Sequence, residues 1–375
     1  EVVVEYALRL KREIPEAFGG RATTAIIAYA NDCPAYIPSE KVLREGGYEG
    51  AGAMIYYGLH GPWRAGVEDR IVAHVLSLTR ELEMPSPVLE TLEPIEVYSG
   101  AAFAEGPVWG PDGALWFSDI PNDRILRLLD GNVFEARRPS GKANGLLFDA
   151  KGRLFACEGA DGGHRRVTRT DAKGNVEVIA AKVGGKTLNS PNDVTIDAEG
   201  RIYFSDPRYS GDEPRELEVE GVYRILPDRA EPELVIADCE RPNGLAVSPD
   251  GKLLYVSDTG ASKLYAYRIT DSAPFPRDRI VFDFAEGRGI DGMEVARDGT
   301  IWAAAGRDAR SGLWVISPEG TLLEHVRLPE IATNCAFGGE DGKHVFVTLE
   351  RSVWRVRARV SGFVPGIEWA SDRAR

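Results

Sequence analysis

The chain has 375 residues, of which 43% are hydrophobic and 27% are charged, and its net charge is −13. This acidity argues against a nucleic-acid partner, because phosphate binding requires a basic surface. No uninterrupted apolar run of about 18 residues occurs, so no membrane span is predicted. We expect a soluble protein, whose compartment and oligomeric state the sequence does not specify. The 41 Gly and 23 Pro residues are typical of a turn-rich, all-β architecture.

Residues 1–84 have the pattern of a small α/β segment. Glu5–Ile14 and Val67–Glu83 carry apolar residues at helical spacing, and Thr24–Ala30 has the composition of a buried strand. The following residues, 85–94, contain three prolines and are predicted to be a linker.

After the linker the pattern changes to short strands separated by Asp-Gly and Gly-Lys turns. We assign residues 95–360 to this β domain and residues 361–375 to a polar tail. Within the domain, a polar residue is followed by an apolar strand, a tight turn containing Gly and a second strand, and this unit occurs six times. The units begin at Glu105, Asn144, Asn192, Asn243, Asp291 and Asn334.

Successive units start 39 to 51 residues apart, which is the period of a four-stranded propeller blade. The sequence therefore predicts an all-β fold, a six-bladed β-propeller preceded by the small α/β segment. The first strand, near Ile95–Tyr98, and the last, near Val353–Val356, are expected to share one blade and close the ring.

The polar residue that opens each unit is the exception in an otherwise apolar strand. Innermost strands line the channel of a propeller, so these six side chains should meet near its axis. A hard cation satisfies such a ring of oxygen atoms, and Ca²⁺ accepts carboxylate and amide oxygens together. We predict one divalent cation, Ca²⁺ before Mn²⁺, Zn²⁺ or Mg²⁺. The alternative is that the six side chains satisfy one another around buried water, since Asn-Gly is also a common turn signal.

The loops that follow the second strand of each unit should surround this ring. Two of them are long, and they contain His164 in one case and Arg208 and Tyr209 in the other. These three residues are candidates for substrate binding, and a solvated loop position is the alternative for each.

Several segments resemble the gluconolactonase family, which includes regucalcin (senescence marker protein) and luciferin-regenerating enzyme. The matching segments occur in the family order and are Glu105–Trp109, Leu188–Asp193, Arg241–Leu245, Asp291–Met293 and Thr333–Gly339. Regucalcin-type members carry an Arg two residues before the position of Asn192, where this chain has Ser190, so their sugar preference cannot be transferred.

The resemblance implies a lactone hydrolase with one metal held by Glu105, Asn192, Asn243 and Asp291. Asn144 and Asn334 then lie beside the metal as candidate substrate contacts. We expect the metal to polarise the carbonyl of a sugar lactone and Asp291 to activate the attacking water. Hydrolysis of a phosphotriester or another ester at the same metal, and a non-catalytic calcium-binding scaffold, remain alternatives.

The N-terminal segment resembles the end of a neutral-ceramidase-like hydrolase domain, through Ala28–Asp32, Ala35–Pro38 and Glu45–Glu49. In that family a Tyr at the position of Tyr36 is a zinc ligand. The other ligands of that zinc belong to a domain upstream of the matching region, so residues 1–84 are interpreted as a remnant or docking segment.

Overall fold

The computed structural model describes residues 8–10, 12–13, 40–45, 65–83, 86, 88–227, 229, 231–285 and 287–369. The chain divides into two compact units, Glu1–Pro85 and Ser86–Arg375.

The described part of the N-terminal unit is helical. Helix α1 spans Glu40–Glu45 and helix α2 spans Val67–Glu83, which confirms the helix predicted there. Two acidic residues, Glu68 and Asp69, stand in the first turn of α2, where they complement the positive end of the helix dipole. The strand predicted at Thr24–Ala30 and the residue Tyr36 lie outside the described residues. No helix of the described chain is long and apolar enough to cross a membrane.

The second unit is a six-bladed β-propeller, as predicted, and its blades are six antiparallel sheets of four strands. From the innermost strand outward, blade 1 consists of β2 (Ala104–Trp109), β3 (Leu115–Asp119), β4 (Arg124–Leu129) and β5 (Asn132–Arg137). Blade 2 consists of β6 (Ala143–Phe148), β7 (Leu154–Glu158), β8 (Arg166–Thr170) and β9 (Val176–Ala180). Blade 3 consists of β12 (Val194–Ile196), β13 (Ile202–Asp206), β14 (Gly221–Ile225) and β15 (Glu233–Ile236). A short hairpin, β10 (Lys182–Val183) with β11 (Lys186–Thr187), precedes blade 3.

Blades 4 and 5 continue the same order, and blade 6 takes its outer strand from the start of the unit. Blade 4 consists of β16 (Pro242–Val247), β17 (Leu253–Asp258), β18 (Lys263–Arg268) and β19 (Arg277–Asp283). Blade 5 consists of β20 (Ile290–Val295), β21 (Ile301–Ala305), β22 (Gly312–Ile316) and β23 (Leu322–Arg327). Blade 6 consists of β24 (Ala332–Gly338), β25 (His344–Leu349), β26 (Ser352–Ala358) and β1 (Leu89–Ser99).

The hydrophobic core lies between neighbouring blades. Trp302 of blade 5, for example, is fully buried and packs edge-on against Phe337 of blade 6 at 5.3 Å between ring centroids. Inner and middle strands such as β16 and β21 are buried along their whole length, whereas the outer strand β5 is mostly exposed. Burial thus decreases from the inner to the outer strand of a blade, and the inner strands surround the channel.

The ring is closed by pairing the first strand with the last. β1 runs antiparallel to β26, with Leu89 opposite Ala358 and Ser99 opposite Ser352. Because this pairing starts at Leu89, β1 occupies much of the stretch 85–94 that the sequence suggests as a linker.

Residues 361–369, which the sequence suggests as part of a polar tail, pack against the propeller. Gly362 forms a β-bridge with Ala296, and the Phe363 amide donates to the Val295 carbonyl at 2.9 Å. Trp369 is 5% exposed, and its indole N–H donates to the carbonyl of Gly362 at 2.8 Å. Phe363 and Trp369 line a small cavity at the far end of the channel, so this segment covers that end.

Candidate active site

The opening residues of the repeat units lie at nearly the same height in every blade. Glu105, Asn144, Asn243 and Asp291 are each the second residue of an inner strand, namely β2, β6, β16 and β20. Asn192 stands two residues before β12, and Asn334 is the third residue of β24. Five of the six opening residues, all except Asn334, line one open cavity at this end of the channel. The volume of this cavity is about 600 Å³.

Glycines next to these residues allow the inner strands to approach closely. A Cβ on Gly106 would collide with the Asn144 carbonyl, and a Cβ on Gly292 would collide with the Asn334 side chain. The antiparallel register also shifts just after Glu105 and just after Ile290, which indicates local bulges. Bulges of this kind redirect side chains near functional sites, and the repeat pattern does not predict them.

Asp291 is held by two side chains. Asn243 Nδ2 donates to Asp291 Oδ1 at 2.6 Å, and Arg288 Nη2 donates to Oδ2 in an ion pair. Burial raises the pKa of this carboxyl, and the charge of Arg288 and the bond from Asn243 oppose that rise. Both carboxylate oxygens are therefore fixed in direction within the channel.

Glu105 is the second carboxylate of the ring and is only 4% exposed. Its Oε2 accepts hydrogen bonds from the Gly106 amide at 2.8 Å and from Asn334 Nδ2 at 3.2 Å. Burial raises its pKa well above the usual range, and the negative charge of Asp291 raises it further. Two carboxyl groups that are largely shielded from water and repel each other would be stabilised by a positive charge between them.

The amide of Asn243 is oriented by its neighbours. Its Nδ2 donates both to Asp291 and to the Tyr209 hydroxyl, the latter at 2.9 Å. Its Oδ1 is therefore the atom left to face a ligand. No group of three or more His, Cys, Asp or Glu that could hold a metal occurs among the described residues, and the ring combines only two acids with amides.

The substrate-binding candidates separate into two groups. Asn144 and Tyr209 line the cavity, and the Tyr209 hydroxyl also bonds to Thr259 Oγ1 at 2.6 Å. Asn334 lies below the open cavity, with its Oδ1 accepting the Cys335 amide at 2.8 Å.

The other two candidates are bound to their own loops. Arg208 Nη1 donates to the Gly211 carbonyl at 3.2 Å and pairs with Glu213 at 3.1 Å. His164 Nδ1 contacts Glu158 Oε2 at 2.6 Å. Neither Arg208 nor His164 is part of the cavity lining. The structure therefore does not bring Arg208 and His164 together with the ring.

Several cavity residues were missed by the sequence reasoning. Phe103 and Lys142 line the cavity, as does Ser190, whose position the family resemblance had already singled out, and each of the three stands two residues before an opening residue of the repeat. Extending the repeat by two positions would have pointed to them. Arg288 lies three residues before Asp291 in an irregular Gly-Arg-Gly segment, for which the repeat gives no signal.

Two more carboxylates lie toward the covered end of the channel. Asp193 and Glu294 border a cavity of about 40 Å³, and Asp193 Oδ2 accepts the Leu245 amide at 2.9 Å. Burial raises the pKa of Asp193 to about 7 and that of Glu294 to about 8. Glu294 is half-buried and lines this internal cavity.

The fold and this ring together define a six-bladed β-propeller with a candidate site at one end of its central channel. The chain belongs to the SMP-30/gluconolactonase/LRE-like family, whose sequence profile matches residues 103–351. A gluconolactonase of Zymomonas mobilis is 31% identical over 309 residues, covering 73% of this chain and 84% of that protein. A 6-deoxy-6-sulfogluconolactonase of Pseudomonas putida is 28% identical over 272 residues, covering 70% and 88%.

Solved structures agree with this membership. A gluconolactonase of Xanthomonas campestris superposes with a TM-score of 0.65 at 33% identity, over 71% of this chain and 89% of that one. The calcium-binding protein regucalcin of Agrobacterium tumefaciens superposes with a TM-score of 0.58 at 19% identity, over 74% and 96%. At that identity the second likeness concerns the fold alone.

Proposed function

We propose that this protein hydrolyses sugar lactones with the help of one divalent cation. Its class, a lactone hydrolase, is that of the gluconolactonases to which the family profile and the 31% identical relative connect it. The observation that carries the proposal is that Glu105, Asn192, Asn243 and Asp291 all line one open cavity.

These four residues fit a hard cation. Two carboxylates and two amide oxygens are the donors that Ca²⁺ accepts, and the set contains no thiolate or imidazole that would favour a softer metal. The orientation of Asn243, with its N–H groups used by Asp291 and Tyr209, leaves an oxygen for the cation. Ca²⁺ is the first choice, and Mn²⁺, Zn²⁺ and Mg²⁺ follow.

A bound cation would supply Lewis-acid polarisation of the lactone carbonyl. Asp291 is the general base that takes a proton from the attacking water, because its carboxylate borders the cavity and is fixed by Asn243 and Arg288. Glu105 adds the second negative charge, while Asn192 and Asn243 add donors without adding charge. Asn144 and Tyr209, which line the same cavity, would contact the hydroxyl groups of the sugar.

The direct test is hydrolysis of glucono-1,5-lactone by chelator-stripped protein, followed by proton release after subtraction of the spontaneous rate. Ca²⁺, Mn²⁺, Zn²⁺ or Mg²⁺ is then added back in turn. Restoration of turnover by a cation is expected. Full turnover by the stripped protein would overturn the role of the metal, and no turnover with any cation would overturn the sugar lactone as substrate.

A further inference from the structure

One side of the active-site cavity is made of hydrocarbon. Ala102, Phe103, Ile120 and Pro121 line it, and we call these four residues the apolar wall. Phe103 and Ile120 are both partly exposed, so their side chains are available to a ligand. These four side chains offer sugar hydroxyls no hydrogen-bonding partner, and leaving polar groups unpaired against hydrocarbon costs free energy.

The apolar wall is held rigidly by one buried carboxylate. Asp119 is fully buried, and its Oδ1 accepts the amides of Ala102 at 3.0 Å and Phe103 at 3.3 Å. Its Oδ2 pairs with Arg124 at 2.8 Å, and the Ile120 amide donates to the Phe103 carbonyl at 3.1 Å. A wall fixed in this way binds an apolar group without first having to be ordered.

The wall adjoins the polar ring, since Phe103 is two residues from Glu105. The cavity volume of about 600 Å³ lies in the range typical of drug-sized ligands and leaves room beyond a single sugar ring. A lining that combines the polar ring with the apolar wall fits a substrate that has both a polar and a hydrocarbon part.

We propose that this site takes lactones whose ring carries a hydrocarbon substituent, an alkyl or aryl group, that packs on the apolar wall. The proposal rests on the lactone hydrolysis proposed above and extends its substrate class beyond sugar lactones. The ester group lies at the ring of Glu105, Asn192, Asn243 and Asp291, and the substituent extends over Phe103 and Ile120.

The test is a series of δ-lactones with methyl, propyl and pentyl substituents, assayed on the cation-loaded full chain beside glucono-1,5-lactone and a disaccharide lactone. We expect kcat/KM to rise about two- to fourfold for each added methylene, as for burial of hydrocarbon. Phe103→Ala should reduce the pentyl-to-methyl ratio about tenfold. Phe134→Ala, which removes a half-exposed ring from the outer strand β5, should leave that ratio unchanged.

Calorimetric binding of the corresponding unreactive lactams tests the apolar wall independently of the proposed hydrolysis. Affinity that grows with chain length and is reduced by Phe103→Ala supports the apolar wall even if no lactone is hydrolysed, in which case only the proposed reaction fails. Sugar lactone turnover with no dependence on chain length would overturn the wall alone. A preference for the disaccharide lactone over the alkyl series would also overturn it, in favour of sugar stacking on Phe103.

Discussion

Asp291 receives hydrogen bonds on both oxygens from Asn243 and Arg288, which fixes the side chain that the proposed mechanism uses as a base. Asp291→Asn should reduce kcat by at least about 10²-fold, since general base catalysis contributes that much or more. The measurement is lactone turnover together with calorimetric titration of Ca²⁺. Asp130→Asn is the matched control, because Asp130 occupies an exposed turn with a φ of 49° that Asn tolerates. Near-normal turnover of Asp291→Asn with metal bound would contradict the assignment.

Glu294 gives a prediction about pH. Its folded pKa of about 8 lies above the value of about 4.3 typical of an unfolded chain, so the folded state binds the proton more tightly. The free energy of unfolding therefore falls as pH rises from about 4.5 to 8. Glu294→Gln should become more stable than the wild type across this window, by roughly a few kcal/mol at pH 8.

Urea unfolding in the presence of a chelator, repeated from pH 5 to pH 8, measures this difference. Glu96→Gln, at an exposed position of β1, should give a profile parallel to the wild type. A parallel profile for Glu294→Gln would show that Glu294 does not carry the effect.

The opening residues of the six units could be found from sequence because one polar position recurs in an apolar strand. Arg288 and Phe103 could not be found in that way. Arg288 reaches Asp291 from a loop, and Phe103 belongs to the cavity because Asp119 binds its backbone, a contact across 16 residues. Such contacts depend on three-dimensional packing, which a one-dimensional repeat does not encode.

At the scale of the strand, the glycine that follows four of the six opening residues lets neighbouring inner strands approach closely. Gly292→Ala would drive a methyl group into the Asn334 side chain, whose Nδ2 supports Glu105. We expect a loss of about 1–3 kcal/mol of stability, typical of overpacking, and weaker Ca²⁺ binding. Thermal unfolding and calorimetric titration check the two effects.

Gly113→Ala serves as the control for this substitution. A Cβ on Gly113 meets nothing within 4 Å, so only the strain of its φ of 75° remains, about 1 kcal/mol, with no change in Ca²⁺ affinity. Equal effects of the two substitutions on Ca²⁺ affinity would show that close packing at Gly292 does not position the ring.

The strand boundaries illustrate what periodicity misses. The repeat predicted the paired strands of each blade, but β1 begins at Leu89 because it pairs with β26, more than 250 residues away in the chain. The covering of the channel end by Trp369 likewise depends on its packing against Gly342 and its bond to Gly362. Neither feature has a local sequence signal.

For the whole molecule, cation binding to the folded state alone should raise the melting temperature. At a concentration of 100 times Kd the gain is about 2.7 kcal/mol, which for a domain of this size corresponds to about 4 °C. Calorimetry of stripped protein with and without Ca²⁺ measures the shift. The double variant Glu105→Gln/Asp291→Asn should lose it, and an unchanged shift in that variant would place the cation elsewhere.

The two compact units suggest a test of residues 1–84. A chain that starts at Ser86 should keep the lactone turnover of the full chain, because the propeller unit and its proposed site begin there. A chain that starts at Gly100 removes β1 and should unfold at a much lower temperature, since the last blade loses its outer strand. Loss of turnover in the first truncation, with its melting transition intact, would assign the N-terminal unit a part in the reaction.

The pairing of β1 with β26 also has a consequence during synthesis. The ribosome makes Leu89 before blades 1 to 5 and makes its partner Ala358 after them. Blades 1 to 5 contain only strands contiguous in sequence and can assemble during translation, whereas blade 6 waits for its final strand. Until then the nascent chain carries an unpaired strand at one end of an open array, which is the stage at which chaperones and proteases have most access to it.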